Sequence, residues 1–278
     1  MPVNLKSFGR PTITFTSDFG WSSPGVGIMK GVALAICPQA QVIDITHEVK
    51  PFSTIEGACI METVASLPPG GIHVCVVDPG VGSWRRLLAI KTRRGDHLVG
   101  PDNGVLLPAA ERLGGIAAIA SISNPAYLLE KVGTTFDGRD VMAPAAAAIA
   151  NGVALTDLGA QIDADQIHLP AYEEAPWRDK TCKATVLHVN HYGSVYLNID
   201  NTVFHEKGFA RGKHVIVHVD DGREKEVQVS TAFSDVAKGE SLLYEGHFGR
   251  VQCAVNQGSF ARRLGLDIGS VLGIRLLH

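Results

Sequence analysis

Three short segments carry the side chains with most chemistry to offer: Ser17-Asp18-Phe19-Gly20, Asp78-Pro79-Gly80-Val81-Gly82-Ser83-Trp84-Arg85, and Thr134-Thr135-Phe136-Asp137-Gly138-Arg139-Asp140. One carboxylate can accept two hydroxyl hydrogens, so Asp18 suits a ribose diol; closing an Asx turn or capping a helix is the other use open to it. In the second segment the glycines allow the loop to fold back until Arg85 approaches Asp78. An arginine within roughly 4–6 Å keeps a carboxylate ionised, and the same pair also serves as a plain salt bridge at a loop base. In the third, Asp137 or Asp140 either caps the helix that follows or meets Asp78. In that second arrangement, repulsion between Asp137 and Asp78 raises one pKa and supplies a general base.

Two later segments, Asn190-His191-Tyr192-Gly193-Ser194 and Gly246-His247-Phe248-Gly249, read as polar turns between strands. His191 and His247 lack metal-ligand spacing, so no metal site is expected. The chain has no GxGxxG, so a standard dinucleotide site is not expected either.

The elements that position these residues follow from hydrophobic periodicity. Ile13–Thr16, Val42–Ile45, Ile72–Val77, Leu87–Lys91 and His97–Val99 are short β-branched runs, and helical patterns fall near 25–37, 54–67 and 140–151. The alternation predicts an α/β domain with a largely parallel, helix-covered sheet over residues 1–165. Residues 166–182, rich in Pro, Glu and Asp, read as a linker. Strand after strand then follows over 183–278, with a hairpin at Asp220-Asp221-Gly222, which predicts a C-terminal antiparallel β-barrel.

Composition narrows the partners. Twenty-five basic and 28 acidic residues give a net charge of −3 without charge blocks, which argues against nucleic acid or an anionic membrane and for a small molecule. No apolar stretch reaches the roughly 18 residues of a membrane span, and the N-terminus lacks a signal-peptide core. The five cysteines, Cys37, Cys59, Cys75, Cys182 and Cys253, are an odd number without a CxxC pair and mostly sit in apolar runs. They read as buried thiols of a cytoplasmic protein.

Taken in order, the chain resembles the S-adenosylmethionine hydroxide adenosyltransferase family, the hydrolases related to fluorinase and chlorinase. The resemblance rests on the segments at 17–20, 78–85 and 135–140, together with Pro51 to Ala58, Gly100-Pro101-Asp102-Asn103-Gly104 and Ala254-Val255-Asn256-Gln257-Gly258. It covers nearly the whole chain. It implies hydrolysis of S-adenosylmethionine to adenosine and methionine, with no cofactor, in a homotrimer whose active sites lie between one subunit's N-domain and the next subunit's barrel.

By the same resemblance Asp78 and Arg85 belong to the water-activating set and Asp18 binds the ribose. Phe52 packs on the ligand; Asn190, Ser194 and the backbone near Val255 surround the adenine; His247 and Phe248 lie near the methionine end. The chain departs from the usual hydrolase at four positions: Asp137 stands for His, Asn190 for Asp, Ser194 for Asn and His247 for Ser. Halogenases carry Tyr in place of Asp78 and Ser in place of Gly138. Two other readings are distinguishable: a halide transferase makes a 5′-halo nucleoside, and a non-catalytic adenosine or S-adenosylmethionine sensor binds without turnover.

Overall fold

The computed structural model describes residues 7–130, 133–219 and 222–277. It separates into two compact units, Met1–Ala171 and Tyr172–His278. The division falls inside the 166–182 segment, which also contributes a two-residue strand, Trp177–Arg178, to the second unit.

The first unit begins with β1 (Thr12–Ser17), α1 (Pro24–Ile36), β2 (Gln41–Thr46), α2 (Thr54–Met61) and β3 (Ile72–Val76). It continues with β4 (Leu87–Thr92), β5 (His97–Pro101), α3 (Leu107–Arg112) and β6 (Ile116–Ser121), and ends in α4 (Ala143–Ala150) and α5 (Leu155–Leu158). The sheet order is β2-β1-β3-β5-β4-β6. β2, β1, β3 and β5 are parallel, as expected; β4 runs antiparallel to both β5 and β6. β1 and β3 are buried along their whole length because helices cover them; β3 is apolar apart from His73, whereas β1 alternates Ile13 and Phe15 with buried threonines. α4 explains its alanines in the same way: packed on α1 and the sheet, seven of its eight residues are buried, leaving space only for small side chains.

The helix beginning near residue 140 has an unexpected start. Gly138–Met142 forms a π turn that runs directly into α4. Such turns are rare and concentrate at functional sites. The parallel strands deliver the loops after β1, β2 and β3 to one edge of the sheet, where open α/β folds bind ligands.

The second unit contains β7 (Trp177–Arg178), β8 (Thr181–Val189), β9 (Val195–Asp200), α6 (Asn201–Glu206), β10 (His214–Val219) and β11 (Glu224–Val229). β12 (Ser241–Glu245), β13 (Arg250–Val255), α7 (Phe260–Leu264) and β14 (Val271–Leu276) complete it. The pairing of β14 with β8 closes a seven-stranded barrel, and β7 lies on its margin. All pairings in the ring are antiparallel except β11 with β12, which is parallel. β10 and β11 form the expected antiparallel pair; Asp220 and Asp221 of its connecting turn lie outside the described residues. Among the described residues no helix is long and apolar enough to cross a membrane.

All five cysteines are free and buried, and burial pushes the Cys75 and Cys182 thiols up to about 12. They are packing groups, not nucleophiles.

At the opposite edge of the first sheet a titratable cluster makes folding acid-sensitive. His73 Nδ1 lies 2.9 Å from Thr14 Oγ1, and Asp96 accepts hydrogen bonds from Arg94 and from the backbone of Gly70 and Gly71. Burial lowers the pKa of His73 and, with Lys91 nearby, brings His97 to about 4. Burial works against ionised Asp96, but hydrogen bonds from His73 and Arg94 outweigh it and hold the carboxyl well below the usual range. A folded-state pKa below the unfolded value stabilises the fold above the unfolded pKa and loses that contribution as pH falls. The His97 share, up to about 3 kcal/mol, is thus expected to disappear between about pH 6.5 and 4. Denaturant unfolding from pH 8 to 4.5 should show this decline, and His97→Gln should flatten it; a profile that His97→Gln leaves unchanged would contradict the assignment.

Candidate active site

Asp18 lies just beyond β1, and the end of that strand is tied to the end of β2. Ser17 Oγ is 2.7 Å from His47 Nδ1, His47 Nε2 is 3.0 Å from Asp44, and Asp44 accepts from Lys30 at 2.9 Å. Burial opposes ionisation of Asp44, but these hydrogen bonds outweigh it and lower its pKa. Asp18 does not cap α1; Ser23 does, accepting from the Gly25 N–H. Instead, Asp18 Oδ2 accepts from the Phe52 N–H at 2.8 Å.

Phe52 adopts a left-handed conformation, φ 68°, with 74% of its surface exposed. A bulky residue in that region is strained and persists only when its surroundings hold it there. The hold is visible on both sides. Asp18 takes the Phe52 N–H, while Ser53 caps α2 and Glu56 accepts from the Lys50 N–H. The outcome is a large aromatic ring presented to solvent beside Asp18.

Asp78 follows β3 by two residues, and Asn103 Nδ2 fixes the preceding peptide by donating to the Val77 carbonyl at 3.0 Å. The 78–85 loop folds back as expected: Arg85 Nε donates to both Asp78 oxygens at 2.8 and 2.7 Å, and Nη2 also reaches Asp78. Nη2 is shared with Asp137 Oδ2. The three side chains are 10%, 6% and 4% exposed for Arg85, Asp78 and Asp137. Burial works against the Arg85 charge, but its bonds to Asp78 and Asp137 outweigh that and raise its pKa. The guanidinium therefore stands charged between the two carboxyl groups. Asp137 precedes the π turn without capping it, and Asp140 pairs with Arg139.

A cavity of about 240 Å³ opens in front of this trio. Asp18, Phe52, Asp78 and Asp137, all singled out in the sequence, line it; so do Phe19, Pro51, Val76, Val81, Thr135, Phe136, Gly138 and Met142. Arg85 is not in this wall but behind it. Phe19 and Phe136 meet edge to face at 5.9 Å, giving the cavity an aromatic flank. Phe136 lies within a segment read for its carboxylates, and only its neighbours' role could have marked it.

Gly138 borders the same cavity. A Cβ there would lie 2.7 Å from Met29 Sδ and 3.0 Å from Val76 Cγ1, both buried. Gly138→Ser should therefore destabilise the protein by about 1–3 kcal/mol through overpacking, read as a lowered denaturation midpoint; an unchanged midpoint would show that Met29 yields freely.

The Gly100–Gly104 segment serves the chain path. Asp102 accepts from Arg86 Nε at 3.0 Å and from the His168 N–H at 2.9 Å, and a Cβ on Gly104 would lie 2.1 Å from the Leu169 carbonyl. It holds the irregular segment 168–171 that ends the first unit.

In the barrel, a second cavity of about 590 Å³ is lined by Ser194 and Val255, together with His191, Tyr192, Phe233, Asn256, Gln257, Gly258 and Arg262. Asn190 organises its rim: Oδ1 accepts from the Tyr192 and Ser194 N–H groups at 3.1 and 3.0 Å. His247 and Phe248 are exposed in the turn at the other end of β13 from Val255. From its first residue to Val255 that strand spans five residue steps, about 17 Å at 3.3 Å per residue. Among the described residues no group of three His, Cys, Asp or Glu side chains is arranged to hold a metal.

Comparison with known proteins assigns both units. Residues 13–159 match the SAM hydroxide adenosyltransferase N-terminal domain and 184–272 the SAM hydroxide adenosyltransferase C-terminal domain. The chain is 38% identical to an (R)-S-adenosyl-L-methionine hydrolase of Salinispora tropica, over 95% of this chain and 97% of the relative. A more distant relative, a fluorinase of Nocardia brasiliensis, is 25% identical over 96% of this chain and 97% of its own. The crystal structure of an uncharacterized conserved protein from Thermotoga maritima superposes with a TM-score of 0.88 at 32% identity, covering 95% of this chain and 99% of that one.

Proposed function

The chain belongs to the SAM hydroxide adenosyltransferase family, and from that membership and the site's geometry we propose that it hydrolyses S-adenosylmethionine to adenosine and methionine. The observation that carries the reading is the pair of carboxylates, Asp78 and Asp137, in the wall of a cavity that also holds Asp18, with Arg85 behind them.

Hydrolysis needs little covalent help from the protein. A water oxygen bonds to the ribose C5′ as the C5′–S bond breaks, and the bonding pair goes to sulfur. Methionine leaves as a neutral thioether and needs no proton, so only the nucleophile requires activation. Arg85 grips Asp78 through two nitrogens, which fixes the plane of that carboxylate and suits it to orient the water. Asp137 accepts the water's proton. The acidic side chains lining the cavity favour a sulfonium cation, and its apolar remainder excludes bulk water. Asp18 binds the ribose hydroxyls and Phe52 covers the sugar.

The front cavity, at about 240 Å³, is below the roughly 300–1,000 Å³ of small-molecule sites. That supports a site completed by a second surface. We read that surface as the neighbouring subunit's barrel in a homotrimer, with Asn190, Ser194 and Val255 at the adenine and His247 and Phe248 towards the methionine. The buried free thiols suit a reducing cytoplasm.

Asp78 in place of the halogenases' tyrosine, and Gly138 in place of their serine, favour water over halide. Chromatography of the purified protein with S-adenosylmethionine in chloride buffer tests this. The expected products are adenosine and methionine in equal amounts; a 5′-chloro nucleoside, or saturable binding without product, would refute hydrolysis.

A further inference from the structure

Behind the Asp78–Arg85–Asp137 trio lies another cavity, of about 380 Å³, which the hydrolysis reading leaves unused. Asp137 lines both cavities, whereas Asp78 lines only the front one and Arg85 only the rear one. Ser121 and Ser123 are among the residues lining the rear space, which is large enough for several water molecules. One carboxylate thus forms a partition between the reaction space and a second, polar-edged opening.

Charge balance gives that partition a task. S-adenosylmethionine is a sulfonium cation and both organic products are uncharged at the reacting atoms, so each turnover releases one proton from the attacking water. During reaction the substrate occupies the front cavity, and a proton held on Asp137 must otherwise wait until product leaves. We propose that the rear cavity is the proton exit: Asp137 takes the proton on its front side and passes it to water behind Arg85, from which it reaches bulk solvent. Asp137 returns to its ionised form, and no further reactant is consumed. The proposal rests on the hydrolysis reading above and adds to it a route and a function for Asp137 facing two ways.

Leu128 offers a way to close this path without entering the machinery, since it lines the rear cavity and not the front one. Leu128→Trp should fill the opening. The expected result is a several-fold lower kcat, an unchanged KM and a larger solvent deuterium isotope effect on kcat, because proton release becomes limiting; Leu128→Ala should show no such rise. A folded Leu128→Trp protein with the wild-type kcat and isotope effect would overturn the proposal. So would a lower kcat with an unchanged isotope effect, which marks damaged packing. If Leu128→Trp fails to fold, Ser123→Trp, at the exposed edge of the same cavity, serves with the same readouts. Wild-type protein that makes no adenosine would instead refute the hydrolysis reading itself, so the two failures are separable.

Discussion

Asp78→Asn is expected to lower kcat for S-adenosylmethionine hydrolysis by about 10²–10⁴ while leaving the fold intact, the range for losing a general base or a group that positions the nucleophile. The substitution keeps the shape of the side chain and removes its charge. It also replaces one oxygen of the fork that Arg85 grips at 2.7 and 2.8 Å with an NH₂ group that cannot accept. Water is then neither polarised nor held in line with the departing sulfur. Asp137→Asn should cost a similar factor, and the double variant much less than the product of the two, because both act on one water molecule. Steady-state kinetics with thermal melting as a folding control checks this. A wild-type kcat for Asp78→Asn would remove Asp78 from the mechanism.

Arg85→Ala should damage stability and activity together. It removes the guanidinium from between two carboxylates that are 6% and 4% exposed, and breaking one side of a buried ion pair typically costs about 3–5 kcal/mol. The sign of its pH dependence is diagnostic. Repulsion would raise a carboxylate pKa in the folded variant above its unfolded value, and such a group regains stability as pH falls through the folded pKa. The stability gap between wild type and Arg85→Ala should therefore narrow on acidification. Arg85→Lys should recover only part of either property, since a single ammonium cannot reproduce the Nε and Nη2 fork shared by Asp78 and Asp137. A gap that is constant from pH 8 to 5 would show that the guanidinium's charge is not what holds the two carboxylates.

The Asp78–Arg85 pair was legible because its two members are close in sequence. Glycines at 80 and 82 lie between Asp78 and Arg85, and a loop that short can bring them together only by folding back. The parallel core strands were legible because short β-branched runs alternate with helical patterns along the chain. The reversal at β4 was not, since its sequence Leu-Leu-Ala-Ile-Lys-Thr carries no sign of direction. Likewise, the parallel pairing of β11 with β12 depends on a crossover through residues 230–240 and not on either strand's composition.

At the site, what escaped the sequence is mostly geometric. Nothing in Lys50-Pro51-Phe52-Ser53 announces a left-handed phenylalanine, because that conformation is imposed by Asp18 from 34 positions away in the chain. The sequence offers Asp137 as a partner of Asp78, but the mode of meeting, through one shared arginine nitrogen, is a fact of the fold. The π turn at Gly138–Met142 is a packing solution in which Gly138 lies against Met29 and Val76, and neither neighbour is close in sequence. The resemblance implies Asn190 beside the adenine; the structure shows its Oδ1 occupied in holding its own turn.

The most direct test of the central claim, that water is the nucleophile at the ribose C5′, is to incubate the purified protein with S-adenosylmethionine in chloride-free buffer made with ¹⁸O-water and to analyse both products by mass spectrometry. The expected result is adenosine carrying one heavy oxygen at the 5′ position, with unlabelled methionine and one proton released per turnover. Adenosine without the label, label in the amino-acid product, or intact substrate after prolonged incubation would contradict it.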